Sequence, residues 1–212
     1  MWNIQKGNIP PFFTSDTQGL TDWNQYLAEK KRNLRRHILQ TEQYELCCYC
    51  EGLLNINSQD FHLEHIVPRN LDPNLVFNYN NILVSCDGKH FNELSDTSIS
   101  SCGHRKDGYY DNTLFLNPVL VTNIENHFKY NNDTGQIKPS DLDKIKATYT
   151  ILLLNLNGNN NTLAQARIIA KNSIINLLKT IVNDDQKILT LKTLLSKDNL
   201  AFRTFIKSCF KS

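Results

Sequence analysis

The amino-acid sequence predicts an α+β protein, a short two-stranded unit stapled by metal and embedded in a mainly helical chain. Three observations predict it. Five of the six cysteines and four of the six histidines fall between residues 44 and 111. Two short apolar runs of strand character, Phe61 to Val67 and Asn81 to Ser85, lie inside that same stretch. On both sides of it, apolar residues recur at helical spacing. With 212 residues, 40% of them apolar and only 8 Gly and 6 Pro, the chain can bury a core, which excludes wholesale disorder and a collagen-like repeat. No run of 18 apolar residues exists, so no transmembrane helix is expected. Met1-Trp2-Asn3-Ile4-Gln5-Lys6 lacks the apolar stretch of a signal peptide, and the expected location is cytoplasmic.

Taken in order, the first element is a helix from Leu20 to about Gln40, where Leu20, Trp23, Leu27, Leu34 and Ile38 recur near helical spacing. Its other side carries Lys30, Lys31, Arg32, Arg35 and Arg36, either a solvated face or a surface for a polyanion. The strand Phe61 to Val67 is stopped by Pro68, and the strand from Asn81 is entered through the turn-prone Asn78-Tyr79-Asn80. A polar stretch from Asp87 to Ser101 leads to Cys102-Gly103-His104-Arg105-Lys106. The C-terminal half reads as helical, with Ser140 as N-cap of a helix through Leu154 and Thr162 as N-cap of one through Val182. Two shorter helices follow, Asp184 to Lys197 and Leu200 to Phe210. This organisation divides the chain into 1–43, 44–115 and 116–212.

The net charge of +2 conceals a strong asymmetry. Residues 1–40 sum to +3, residues 41–111 to −7 and residues 112–212 to +6. An acidic centre between basic flanks suits a metal-binding core held between surfaces that meet a polyanion.

The clustered cysteines favour metal over disulfides in a reducing compartment. Cys47 and Cys50 have the spacing of a zinc knuckle, and Cys86 and Cys102 complete a tetrahedral four-sulfur site. Cys48 is the alternative to Cys47, although Cys48-x-Cys50 is too short for the usual knuckle, and Cys209 stands apart. Between the cysteines lies Phe61-His62-Leu63-Glu64-His65-Ile66-Val67-Pro68. An alternating strand turns His62 and Glu64 to one face and His65 to the other. Glu64 then offers hard oxygens to a divalent cation while the neighbouring imidazole faces a water.

These residues resemble an HNH (ββα-metal) endonuclease, whose pattern is C-x-x-C, an acid or histidine before His-hydrophobe-x-Pro, an Asn opening a second strand, and cysteine with histidine opening a helix. Here the pattern reads Cys47-Cys48-Tyr49-Cys50, Glu64-His65-Ile66-Val67-Pro68, Asn81-Ile82-Leu83-Val84-Ser85-Cys86 and Cys102-Gly103-His104-Arg105-Lys106. The chain is similar in particular to the PtuB type, the HNH component of Septu and some retron anti-phage systems. Phe115-Leu116-Asn117-Pro118, His127-Phe128-Lys129-Tyr130 with Gly135-Gln136-Ile137, and Leu154-Asn155-Leu156-Asn157 extend the resemblance over residues 20–182.

The resemblance implies a zinc-stapled ββα-metal (HNH) core within the helical chain and a metal-dependent hydrolysis of phosphodiester bonds. It makes His65 the general base, Glu64 a ligand of a catalytic Mg²⁺ or Mn²⁺, and His104 the second ligand. It makes Asn81 the residue that orients His65 through the loop, with Asn80 as the alternative one position earlier. Cys47, Cys50, Cys86 and Cys102 hold a structural Zn²⁺, Arg105 and Lys106 contact phosphate, and His62 is a spectator or an auxiliary ligand. Two departures stand out: Cys86 and Cys102 have fifteen residues between them, and the histidine follows Cys102 by two positions, which leaves His90 as a rival to His104. The implied partners are a PtuA-type ABC ATPase, a retron reverse transcriptase with its msDNA, and a nucleic-acid substrate, with double-stranded DNA favoured and transfer RNA or other RNA open. A zinc-stapled scaffold without catalysis is the alternative reading.

Overall fold

The computed structural model describes residues 1–58, 60–88 and 101–210, so His90 and most of the polar stretch before Ser101 lie outside the described residues. Within them the chain is α+β, with seven α-helices and two small antiparallel sheets. A single cluster of buried apolar residues runs from Trp2 and Ile4 through the centre of the chain to Phe205 and Ile206.

The central hairpin pairs β1 (Phe61–His65) with β2 (Ile82–Cys86), with Phe61 opposite Cys86 and His65 opposite Ile82. Strand β1 stops two residues before the expected Val67. The reason is Asn81, whose Oδ1 accepts from the Val67 N–H at 2.8 Å and whose Nδ2 donates to the Val67 carbonyl at 3.0 Å. A side chain thus takes the place of a ladder partner just before Pro68, which has no N–H to offer. Asn81 itself closes a 3₁₀ turn, Tyr79–Asn81, capped by the Asn78 side chain, and β2 begins one residue later than expected. All five residues of β2 are buried. Its outer edge is closed by Gln43, which accepts from the Val84 N–H at 2.7 Å and donates to the Val84 carbonyl at 2.8 Å. Covering the edge in this way removes a row of unpaired backbone groups.

Ahead of the hairpin lie α1 (Pro11–Thr17), which the sequence pattern did not signal, and α2 (Ala28–Thr41). Helix α2 starts eight residues after the expected Leu20. Asp22 and Gln25 form a capping box around a separate 3₁₀ turn, Trp23–Gln25, and Tyr26 and Leu27 are extended. The one-turn helix α3 (Cys102–Lys106) packs on β2 and is fastened there by the Gly103 N–H, which donates to Ser85 Oγ at 3.0 Å.

The C-terminal half begins with a second hairpin, β3 (Phe128–Tyr130) and β4 (Ile137–Pro139), also unforeseen. Helix α4 (Lys144–Leu153) is capped by Asp143, whose side chain accepts from the Lys146 N–H. The expected cap, Ser140, instead donates to the Asn126 carbonyl at 2.7 Å and ties the hairpin to the preceding turn. Helix α5 (Thr162–Lys179) takes Thr162 as its first residue, behind a left-handed Asn161, and ends before Val182. Buried Arg167 on α5 donates to the carbonyls of Gly135 and Leu156 at 3.0 and 2.7 Å, which locks the second hairpin onto this helix. Helices α6 (Asp184–Ser196) and α7 (Arg203–Cys209) complete the chain close to their expected places. Among the described residues, no helix is long and apolar enough to cross a membrane.

Candidate functional site

Four sulfurs converge where the end of α2 leads into the hairpin. Cys47 and Cys50 come from the turn after α2, Cys86 from the last position of β2, and Cys102 from the first position of α3. Their ligand atoms all lie within 4.8 Å of one another, every one of these residues is buried, and Cys50 Sγ stands 3.9 Å from Cys86 Sγ. Tetrahedral zinc at about 2.3 Å from each sulfur sets neighbouring sulfurs about 3.8 Å apart. The residues therefore fit a metal such as zinc.

The backbone around the cluster is tightly constrained. Glu51 and Cys102 adopt left-handed φ of 64° and 59°, conformations that a non-glycine residue holds only when its surroundings fix it. The Gly52 N–H donates to Cys50 Sγ and the Cys86 N–H to Cys47 Sγ, at 3.4 and 3.3 Å. Burial alone would raise the Cys47 thiol, but hydrogen bonds from its cysteine neighbours bring it well below its ordinary value. The same network holds Cys86 and Cys102 well above theirs. Cys48 is buried beside the cluster but is not one of the four, and Cys209 is half-buried on α7.

On the other side of α3 a cleft of about 500 Å³ opens between β1, the loop after it, and α3. Glu64 and His65, adjacent in sequence, both border it, because β1 ends at His65 and the chain turns there. The Glu64 carboxylate is buried and its two oxygens have different surroundings. Oε1 accepts from the Tyr49 hydroxyl at 3.0 Å and faces the Lys106 ammonium at 3.0 Å. Oε2 faces His62 Nε2 at 3.4 Å and the backbone of Gly103. Burial alone would raise the Glu64 carboxyl, but His62 and Lys106 bring it below its ordinary value, so it is ionised at neutral pH.

Lys106, expected to contact phosphate, instead turns inward to Glu64. Its side chain is only 1% exposed, and its ammonium also donates to the His65 carbonyl at 3.1 Å. The cause is helical geometry: Gly103 and Lys106 are three apart and share the face of α3 that meets Glu64. Arg105 and His104 lie on the exposed side.

His65 is buried against the edge of the Trp23 ring, 4.5 Å between centroids. Its Nε2 is 2.9 Å from the Val76 carbonyl. A carbonyl only accepts, so Nε2 carries the proton of the neutral ring and Nδ1 holds the lone pair. Burial, helped by the charges of Arg69 and Lys106, pushes the imidazole down to about 4, against the Val76 hydrogen bond and Glu64. The ring is therefore neutral at pH 7. Asn81 holds the loop that carries this carbonyl: besides its two bonds to Val67, its Nδ2 donates to the Leu75 carbonyl at 3.2 Å, one residue before Val76. Asn80 is exposed, and its N–H is taken by the Asn78 side chain.

His104 borders the cleft from α3, with its ring centroid 4.3 Å from that of His62. His62, left open as a spectator or an auxiliary ligand, stands between Glu64 and His104. Sequence reasoning also missed Tyr49, Trp23 and the Val76 carbonyl. Tyr49 lies inside Cys-x-x-Cys, where nothing in the local spacing signals a contact with a carboxylate fifteen residues later.

No family model matches the chain. Among curated proteins, "Retron Vc95 putative HNH endonuclease" of Vibrio cholerae serotype O1 biovar El Tor is 32% identical over 139 residues, covering 63% of this chain and 62% of that protein. "Septu protein PtuB" of Bacillus thuringiensis is 34% identical over 111 residues, covering 51% of this chain and 36% of that protein. The chain thus spans less than two thirds of the length of either relative. Both support the resemblance that the motifs carry, to HNH endonucleases of the PtuB and retron defence type.

Proposed function

From this kinship with the PtuB and retron type, we propose that the chain is a metal-dependent HNH endonuclease. It hydrolyses phosphodiester bonds, with DNA as the favoured substrate and transfer RNA or other RNA as the second choice. The observation that carries the reading is His65: a neutral imidazole whose Nε2 is committed to a backbone carbonyl, bordering a cleft beside an ionised carboxylate. A scaffold needs the cysteines but has no use for that arrangement.

In this reading His65 Nδ1 takes a proton from water as the water oxygen forms a bond to phosphorus and the bond to the 3′ oxygen breaks. Asn81 is a positioning residue, fixing through Leu75 and Val76 the direction in which the ring presents its lone pair. Glu64 and His104 hold the divalent cation, Mg²⁺ or Mn²⁺, on the cleft side of α3. Bound there, the cation supplies positive charge for the phosphate and the leaving oxygen. Lys106 becomes a positioning residue too, since with Tyr49 it fixes Oε1 and leaves Oε2 turned to the cleft.

Exposed Arg105 contacts the substrate backbone. A second basic surface lies where Arg32, Arg35 and Arg36 of α2 line a groove of about 200 Å³ with Ser58 and Phe61, at the start of the strand that carries Glu64. Arg32 and Arg36 have no ion-pair partner among the described residues, as suits a site for flanking phosphates. Residues 44–115 form the nuclease core with structural Zn²⁺. The flanks 1–43 and 116–212 support it and dock an ABC-type ATPase partner in the cytoplasm, as the effector nuclease of an anti-phage complex.

The test is cleavage of plasmid DNA and total transfer RNA with Mg²⁺ or Mn²⁺, with and without the ATPase, beside His65→Ala. The variant is expected to lose about 10²- to 10⁴-fold in rate while keeping its fold and zinc. Equal cleavage by a folded His65→Ala overturns the assignment.

A further inference from the structure

We infer that His62 is a third ligand of the cation held at Glu64 and His104, so that the site consists of two imidazoles and one carboxylate and prefers a first-row transition ion such as Mn²⁺ to Mg²⁺. The inference rests on reading the cleft as a cation site, and adds to it both a residue and a metal preference.

The placement of His62 carries it. His62 and Glu64 lie two apart on β1, so both project from the same face of the hairpin toward α3. His62 Nε2 stands 3.4 Å from Glu64 Oε2, the oxygen that Tyr49 and Lys106 leave uncommitted. Two adjacent ligands of an octahedral ion, each at about 2.1 Å, are about 3.0 Å apart, so a few tenths of an ångström of movement closes this pair on one cation. The Lys106 ammonium is bonded on the Oε1 side of the carboxylate.

Gly103 keeps the approach from α3 open. A Cβ there would come within 2.7 Å of His62 Nε2 and 2.6 Å of Glu64 Oε2, filling the space these two atoms face. His104 follows directly, exposed, with its ring already against that of His62. Exposed side chains change rotamer within nanoseconds, so its nitrogen can reach the same ion.

The other ring nitrogen of His62, Nδ1, is buried with no hydrogen-bond partner among the described residues. A buried ring nitrogen left unpaired costs free energy, a cost that a strong contact at the other nitrogen can offset. The side chain is 29% exposed, enough for an ion to arrive from solvent. The donor set then decides the metal. Mg²⁺ takes oxygen ligands and keeps its waters, whereas imidazole nitrogen favours first-row transition ions. With His104 alone the site has one nitrogen; with His62 it has two.

The test measures binding apart from turnover. Zinc-loaded protein is titrated with Mn²⁺ by calorimetry and by electron paramagnetic resonance of the free ion, then challenged with Mg²⁺. Wild type should bind one Mn²⁺ beyond the zinc, resist displacement by Mg²⁺, and show pulsed-resonance coupling to two imidazole nitrogens. His62→Ala and the milder His62→Gln should each weaken Mn²⁺ by at least about tenfold, narrow the preference over Mg²⁺ and lose one nitrogen coupling. Unchanged zinc content and melting temperature confirm that the variants are folded, and loss of fold in one leaves the other to decide. Wild-type Mn²⁺ binding that survives both substitutions with the same affinity and metal preference overturns the role of His62 alone. Absence of any second ion in wild type overturns the cation reading of the cleft and this inference with it.

Discussion

Consecutive residues of helix α3 serve two sites built on opposite principles. Cys102 faces a closed pocket of four buried sulfurs, whereas Gly103 and His104 border an open cleft of nitrogen and oxygen donors. In the sulfur site four buried ligand atoms lie within 4.8 Å of one another, the number that fills a tetrahedral ion. Such a site contributes to folding, while catalysis needs an ion that keeps exchangeable positions. The cleft has mixed donors, partly exposed rings and a neutral imidazole at His65. Because one short helix joins them, the sulfur site fixes where Gly103 and His104 stand relative to Glu64. The cysteine cluster and the cleft are therefore joined through α3.

The largest expected effect tests that division directly. Structural zinc contributes apparent free energies of about 10–16 kcal/mol in small zinc-folded units. Cys102→Ser should therefore lose stoichiometric zinc by metal analysis and lose cooperative thermal unfolding of the core. A Cys102→Ser variant that keeps its zinc counts against the four ligands. One that loses zinc but melts like wild type means that the closed site does not hold α3.

A smaller effect comes from His65. His65 is held near 4, below the ordinary imidazole value of 6.5, so the unfolded chain binds more protons between these limits. The stabilisation of the neutral ring is fully present above pH 6.5 and is lost as pH falls toward 4, about 3 kcal/mol across the window. Urea denaturation of wild type and His65→Phe at pH 7 and pH 5 isolates it, since acid acts on the cysteine site in both proteins. Wild type should lose stability relative to the variant on acidification. A pH-independent difference would mean that the ring titrates like a solvated histidine.

The smallest effect concerns the loop. Asn81→Ala leaves the Val67 N–H and the carbonyls of Val67 and Leu75 without their side-chain partner, a cost of about 1–3 kcal/mol. Asn81→Asp keeps the acceptor for Val67 and loses the donor, and should fall between the two. Under the proposed function, both lower kcat more than they raise KM, because the base is misdirected while the phosphate surface is intact. Equal stability of Asn81→Ala and wild type would remove Asn81 as the clamp of this loop.

The same contrast explains what could be read from the chain. The sulfur ligands were legible because thiols are rare and the knuckle spacing is local; that Cys86 and Cys102 join it despite the fifteen residues between them depended on the hairpin and α3 closing. The paired strands were visible in Phe61–His65 and Ile82–Cys86, but their limits moved because the Asn81 side chain substitutes for a strand partner. Helix α2 was visible and its start was not, since Asp22 caps a turn of its own before Ala28. The hairpin of β3 and β4 was missed because three-residue strands carry too little alternation to stand out.

Within the cleft, the sequence by itself determined which chemistry is present: Glu64 beside His65, an asparagine at the second strand, and cysteines with metal spacing. Those are properties of residue type and local order. The tertiary structure alone decided that Lys106 turns inward to Glu64, that the Val76 carbonyl accepts from Nε2 of His65 and so fixes the tautomer, and that His62 stands between a carboxylate and a second imidazole. Each of these depends on the angle at which α3 and the loop meet β1. Contacts between segments tens of residues apart are fixed by packing, and no local pattern of residues encodes them.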